Sequence, residues 1–275
     1  MPNFIVGARL HDYGKGTPDE LFGQVSADGF AAVQLAYKKC VPTVKSYADV
    51  THALVAETVA AEKAHHIQVA VLGTYVELAI NDESRLCNVA DFKSQLAVCK
   101  ALGAGCIGTE TTAMSKQPAG TTRAQAQELL CRSLAEILPA AEALGVTVGI
   151  EPVTYHSMNS VAATRHILDT MRSPNLKVIF DMSNLVSAEN VDAQDRIWYD
   201  MGALLGDQIV AVHFKGQAFA PDGSLLHTSL EESRTDYAGA FAMLRQLPQP
   251  ALPVLREEAV PARAASDIAF MKGFF

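Results

Sequence analysis

Cysteine is scarce in this chain, and what there is does not pair by pattern. Five cysteines are spread widely, with no C-x-x-C motif. An odd, scattered set excludes a disulfide framework and a thiolate zinc site as expectations. Cys40, Cys87, Cys99, Cys106 and Cys131 read as small core hydrophobes, with Cys99 and Cys131 in helical patterns and Cys106 in a strand. Long hydrophobic runs are absent too. No stretch approaches 18 uncharged apolar residues, so no membrane-spanning helix is expected. Met1-Pro2-Asn3-Phe4 enters an apolar strand with no basic segment before it, so no signal peptide is expected and the cytoplasm is the expected compartment. Positive charge is also in short supply. Lys and Arg total 22 against 30 Asp and Glu, a net charge of −8. An acidic surface repels phosphate backbones, which excludes nucleic acid as the expected partner. Nucleotide-binding loops are missing: Gly14-Lys15-Gly16 lacks the spacing of a dinucleotide fingerprint, and there is no Walker A pattern.

What the sequence does have is core material and alternation. Hydrophobic residues make up 49% of the 275, which argues against disorder. Short Val- and Ile-rich runs recur at Phe4–Ala8, Ala31–Leu35, Gln68–Leu72, Cys106–Gly108, Val146–Glu151, Lys177–Asp181, Ile209–His213 and Val254–Glu257. Continuous apolar runs suit strands buried on both faces, and the segments between them are long enough for crossover helices. One helix can be read in detail. Thr122 and Gln125 have capping-box spacing, Leu130, Leu134, Ile137, Leu138, Ala141 and Leu144 follow at helical spacing, and Gly145 stands where a left-handed cap belongs. Eight such units predict a (β/α)8 TIM barrel, an α/β fold, with a doubly wound open sheet as its rival. No linker, low-complexity tract or repeat interrupts the chain, so residues 1–275 are expected to form one domain.

Chemistry enters at the strand ends. The fifth, sixth, seventh and eighth apolar runs end in Glu151, Asp181, His213 and Glu257, with separations of one βα unit each. Strand parity puts Gly149 and Thr147 on the face of Glu151, Ile179 with Asp181 and Ala211 with His213. Small interior residues there are expected to leave room for a metal and a substrate. A lone Glu or His at a strand end is usually a solvated or hydrogen-bonded loop residue; four ligand-type residues at successive strand ends are not explained that way. Three carboxylates brought together would repel unless a cation sat among them or one took up a proton. The oxygen-rich set suits Mn²⁺ first, with Mg²⁺ or Co²⁺ as alternatives. Glu257 and Glu258 are adjacent, so only one can face inward; Glu257, four residues after Pro253, is chosen.

These anchors resemble the sugar phosphate isomerase/epimerase superfamily, the xylose-isomerase-like barrels. The matching stretches are Val71-Leu72-Gly73-Thr74-Tyr75, Gly108-Thr109-Glu110-Thr111, Gly149-Ile150-Glu151-Pro152, Ser173-Pro174-Asn175-Leu176 with Phe180-Asp181, Val212-His213-Phe214-Lys215 and Leu255-Arg256-Glu257-Glu258. The resemblance implies that Glu151, Asp181, His213 and Glu257 hold one divalent metal, and that Glu151 and Glu257 form an acid–base pair. A metal-stabilised enediolate, formed by removing a proton next to a carbonyl and returning it on the other face, is the chemistry implied. The substrate is then a small sugar-like molecule, and a homo-oligomer is expected.

The chain also departs from the ketose 3-epimerases of that family. Asn184, Ser157 and Phe219 stand where those enzymes carry a His, a Glu and an Arg, and the usual Gly-Glu-Gly turn before the last helix is replaced by Leu230–Tyr237. An ordinary free-ketose 3-epimerase is therefore not the expectation, although the metal set is complete. Glu110, His156, Asn184 and Lys215 are candidate substrate contacts, with His11 a further polar residue at the mouth. Lys215 reads either as an electrophile or anion anchor, or as a solvated loop end. His65-His66 reads as surface, and Trp198-Tyr199 as an irregular segment that either covers the mouth or packs in the core. Two other readings stay open: a lyase on the same scaffold, such as an inosose dehydratase or a C-glycoside-cleaving subunit, and a non-catalytic binding barrel. A three-zinc repair nuclease is excluded by the lack of an Asp-x-His pair and by the acidic charge.

Overall fold

The computed structural model describes residues 1–275. Eight parallel strands close on themselves: β1 (Asn3–Arg9), β2 (Ala32–Leu35), β3 (Gln68–Gly73), β4 (Cys106–Glu110), β5 (Val148–Glu151), β6 (Leu176–Asp181), β7 (Ile209–Phe214) and, last in the chain, β10 (Ala251–Arg256). β1 pairs with β10 on one side and β2 on the other, which seals the ring. Strands β8 (Gly216–Phe219) and β9 (Leu225–Thr228) form a separate antiparallel hairpin after β7. The helices are α1 (Pro18–Ala27), α2 (Tyr37–Cys40), α3 (His52–His65), α4 (Arg85–Leu102), α5 (Arg123–Leu144), α6 (Val161–Met171), α7 (Gln194–Leu205), α8 (Tyr237–Leu244) and α9 (Ala264–Lys272). The chain thus folds as a closed (β/α)8 barrel, and the open sheet is excluded. No helix is long and apolar enough to cross a membrane.

Local sequence explains the elements. Thr122 caps α5 with its capping box to Gln125, and Gly145 closes it at φ 68°, a left-handed angle that glycine takes without strain. Thr17 and Glu20 do the same for α1. The main core is the layer between strands and helices, with Phe22, Phe92, Phe180, Phe214 and Phe241 fully enclosed. Phe241, Phe270, Phe274 and Phe275 pack edge or face against one another or Phe214, tying the C-terminus to β7.

The inside of the barrel is a second, small cluster that includes Ala32, Ala70, Cys106, Ile179, Ala211 and Leu255. Parity follows the sequence, but the expected free space does not. A Cβ on Gly108 would stand 2.4 Å from Ile179 Cδ1, one on Gly149 2.8 Å from Ile179 Cγ1, and one on Gly7 2.5 Å from Leu255 Cδ2. The glycines make room for Ile179 and Leu255, which fill the axis below the strand ends. Small residues on one strand were matched by large ones on its neighbours, a pairing that single-strand reading does not show.

Two other expectations change. Cys40, Cys99 and Cys106 are buried, but Cys131 is half-buried and Cys87 is exposed near the start of α4, where its side chain faces solvent instead of β3. Trp198 and Tyr199 lie on α7, not in an irregular segment. Trp198 is buried edge-on against Phe180 in the outer layer, whereas Tyr199 is 68% exposed, so neither covers the mouth. His66 is exposed, and His65 lies at the surface beside Asp19 at 2.8 Å.

Candidate functional site

Strand register delivers the polar residues to one level. Glu110 lies opposite Glu151, and Asp181 opposite His213. Glu257 follows the last residue of β10, and its N–H donates to Phe214 O, which extends that strand's pairing by one residue. Of the adjacent pair, Glu257 turns into the barrel and is 4% exposed. Glu258 takes φ 58° and points to the hairpin, where His227 Nδ1 lies 2.5 Å from its Oε2. Glu257 shares the inward parity of Leu255.

One ligand atom from each of Glu151, Asp181 and His213 lies within 4.8 Å of the other two. Glu257, the fourth residue expected there, lies outside this group of three but against the same imidazole. His213 Nδ1 is 3.0 Å from Glu151 Oε2 and 3.4 Å from Glu257 Oε1. The Lys215 ammonium links the remaining acids, 3.0 Å from Asp181 Oδ2 and 3.7 Å from Glu257 Oε2. Lys215 is buried, so its reading as a solvated loop end is corrected: its charge lies against the acid cluster. Asn184 is held by its N–H to Asp181 Oδ1 at 2.8 Å, and its Nδ2 donates to Glu151 Oε1 at 2.5 Å.

The electrostatics follow from burial set against these neighbours. Burial pushes the Asp181 carboxyl up to about 6, against the pull of Lys215 and with repulsion from Glu151 and Glu257. Burial opposes ionisation of Glu257 as well, yet His213, Lys215 and Arg9 outweigh it and hold the carboxyl down at about 2. For His213 burial disfavours the charged ring, but Glu257 and Glu151 raise it to about 9. Glu110 is raised to about 7 by burial and then by the charges of Glu151 and Glu257. His156 is depressed to about 4, mainly by burial; its Nε2 lies 3.8 Å from Glu110 Oε2. Glu110 and His156 thus sit together on the β4–β5 side of the mouth.

A divalent cation fits this donor set. His213 Nε2 is enclosed with no polar partner, whereas Asp181 Oδ2 is shared with Lys215 and His213 Nδ1 with Glu151 and Glu257. Buried polar atoms of that kind ordinarily have partners. The atoms concerned are hard oxygens and an imidazole, the donors that Mn²⁺ and Mg²⁺ accept.

The sequence reading passed over several mouth residues. Arg9, at the end of β1, grips Asp12 with two nitrogens and reaches Glu257 Oε2 at 3.5 Å. Asp12 in turn accepts from the N–H of Ala259, beside Glu257. Tyr75 receives Gln34 Nε2 on its hydroxyl at 3.1 Å, and its ring carries the Lys39 ammonium on one side and His11 edge-on. Arg9 shares parity with Ile5 and Gly7, so alternation along the first strand was the available signal.

Free space is uneven. On the axis, between Glu151, His213, Glu110 and Tyr75, it amounts to about 10 Å³. Between the β6–α7 connection and the hairpin lies a recess of about 240 Å³ lined in part by Asn184, the residue bound to Glu151. A larger space, about 720 Å³, is a groove on the outer layer between α7 and α8, lined by none of these strand-end acids.

No curated protein matches the sequence. Among solved structures, 3-keto-D-glucoside 4-epimerase from E. coli superposes with a TM-score of 0.72 at 17% identity, covering 98% of this chain and all of that one. D-psicose 3-epimerase, solved in the presence of D-fructose, gives 0.71 at 15%, covering 100% and 98%. The IOLI protein with a binding zinc atom gives 0.73 at 14%, covering 100% and 96%. At these identities the likeness is one of fold. The family model described as xylose isomerase-like TIM barrel matches residues 22–273. A match over nearly the whole chain, on a barrel whose strand ends gather these acids, places the protein in the xylose isomerase-like TIM-barrel family.

Proposed function

We propose that the protein is a metal-dependent isomerase or epimerase of a sugar or sugar-like ketone, acting on a proton next to the carbonyl. The observation that carries this is the approach of two carboxylates, Glu151 and Glu257, to one edge of the same imidazole from two different strands. In this reading Glu151, Asp181, His213 and Glu257 hold one divalent ion, Mn²⁺ by first choice. When bound, the ion supplies electrophilic polarisation of the substrate oxygens. Zinc in the IOLI protein and the epimerase activities named for the other two neighbours support the reading. All residues 1–275 act as one domain, on a small molecule and in the cytoplasm.

The chain's own residues divide the proton work. Glu151, steadied by the Asn184 amide, removes the proton. On the other face Glu257, placed beside His213, Lys215 and Arg9, gives the planar intermediate a proton drawn from water, and Glu151 passes the removed proton back to water. Lys215 donates to the oxygen on which charge grows. Glu110 and His156 hold hydroxyls at the mouth.

The test is proton–deuterium exchange read by NMR. Protein loaded with Mn²⁺ is offered ketoses, inososes and 3-keto-glycosides in D₂O. Deuterium should enter next to the carbonyl with the molecular formula otherwise unchanged. Glu151→Gln and Glu257→Gln should each slow exchange by about 10²–10⁴-fold; variants that exchange at the full rate refute those roles. A second reading, a dehydrating lyase, is favoured by Glu110, a protonatable carboxyl facing the mouth in register with Glu151. It would protonate a leaving hydroxyl, and loss of water from the product would select it.

A further inference from the structure

We propose that the substrate carries an apolar substituent of about one ring beyond its reacting sugar, and that this arm lies in the recess between the β8–β9 hairpin and the β6–α7 connection. The proposal rests on the sugar-ketone reading for the position of the reacting end and on geometry for the rest. Space on the barrel axis is about 10 Å³, room for a single water, so a ligand's bulk must sit at the mouth or beside it. The recess holds about 240 Å³. Benzene fills an apolar cavity of about 150 Å³, so this volume suits one substituted ring and is too small for a second protein's side-chain cluster.

Asn184 links the recess to Glu151, which lines the axial space. One face of its amide is bound to Glu151, and the residue lines the recess. A sugar seated over Glu151 therefore has its next substituent at the entrance. The walls are apolar for a structural reason. Phe219 and Leu225 are directly opposite one another across the hairpin, and cross-strand partners share a face. Val186 and Tyr155 supply two further apolar surfaces. Several polar groups of the lining are occupied: Gln217 Nε2 donates to the carbonyls of Ser183 and Val186, and Ser183 Oγ donates to Lys215 O, which leaves the hydroxyls of Thr154 and Ser187. Tyr155 is 53% exposed and Leu225 39%. Large apolar groups around a recess that opens beside reactive carboxylates gain from being covered by a ligand. A free ketose, hydroxylated at every carbon, would meet mainly the Thr154 and Ser187 hydroxyls there, and each hydroxyl buried beyond those is costly.

The experiment compares phenyl β-D-glucopyranoside with methyl β-D-glucopyranoside by titration calorimetry on the full chain. Neither has a carbonyl, so binding is read without turnover. The phenyl glycoside should bind at least about tenfold tighter. Phe219→Ser and Leu225→Ser should each erase most of that advantage; Leu225 is exposed on the hairpin while Phe219 is partly buried against the core, and circular dichroism checks the fold. Equal affinity for the two probes, including no binding by either, overturns the proposal, as does an advantage that survives in both variants. Deuterium exchange on the same samples separates the two claims. Selective phenyl binding without exchange on any sugar ketone would sink the isomerase reading and keep the recess.

Discussion

At the scale of single residues, Asn184 and Arg256 each act through a neighbour. Asn184 touches Asp181 through its backbone and Glu151 through its side chain. Outer partners of functional groups are typically worth 10–100-fold. Asn184→Ala should therefore lower the exchange rate by about tenfold or more with little change in melting temperature; a rate equal to wild type would show that the amide holds nothing that matters. Arg256 faces the helix layer, where its Nε donates to Asp267 Oδ2 at 2.8 Å. Both partners are almost fully enclosed, at 4% and 2% side-chain exposure. Removing one member of such a pair strands the other charge, so Asp267→Ala should destabilise the fold by about 3–5 kcal/mol in urea titration. Because Arg256 also donates to the carbonyl of Glu257, the loss should reach the site.

At the scale of elements, the glycines inside the barrel set the strand spacing. A Cβ on Gly7 would come 2.5 Å from the backbone oxygen of Ala32, which cannot move without breaking the β1–β2 pairing. On Gly108 the nearest obstacle is the far end of Ile179. Gly108→Ala should cost about 1–3 kcal/mol and be largely restored by Ile179→Val, while Gly7→Ala should cost more and resist rescue. Equal costs, or rescue of both, would contradict the packing described. Elements also show what could be read beforehand. The strand ends carrying Glu151, Asp181 and His213 were legible because a polar ligand closing an apolar run is a local pattern, and α5 because its caps are local too. The hairpin was passed over although Pro221-Asp222-Gly223 is a turn signal, since its strands are four residues each, too short to show an apolar run. Helix α7 was missed although Ile197, Trp198, Met201 and Leu205 recur at helical spacing. The position of Lys215 was not legible: a long flexible cation takes its place from acids supplied by other strands, and only the closed ring brings those together.

At the scale of the whole molecule, two properties can be measured without a substrate. An ion held by the four strand-end groups binds the folded chain alone, so Mn²⁺ at a hundredfold excess over its dissociation constant should add about 2.7 kcal/mol. For a chain of this size that is a rise in melting temperature of about 5–10 °C, reversed by EDTA and absent in Asp181→Asn. A rise that persists in that variant would place the ion elsewhere. Thiol reactivity reports burial across the barrel. Burial pushes the Cys40 and Cys99 thiols up to about 12 and raises Cys106 further, while Cys87 is exposed. At pH 8 a disulfide reagent should titrate Cys87 quickly and Cys131 slowly, and the other three only in denaturant; four or five fast thiols would mean that the core is open.

Ile179 and Leu255, interlocked with the glycines of neighbouring strands, have a consequence for traffic. They stopper the tube from beneath, so nothing small passes lengthwise through it. Whatever arrives must depart by the same doorway, and a slow-leaving product would hold up the next arrival.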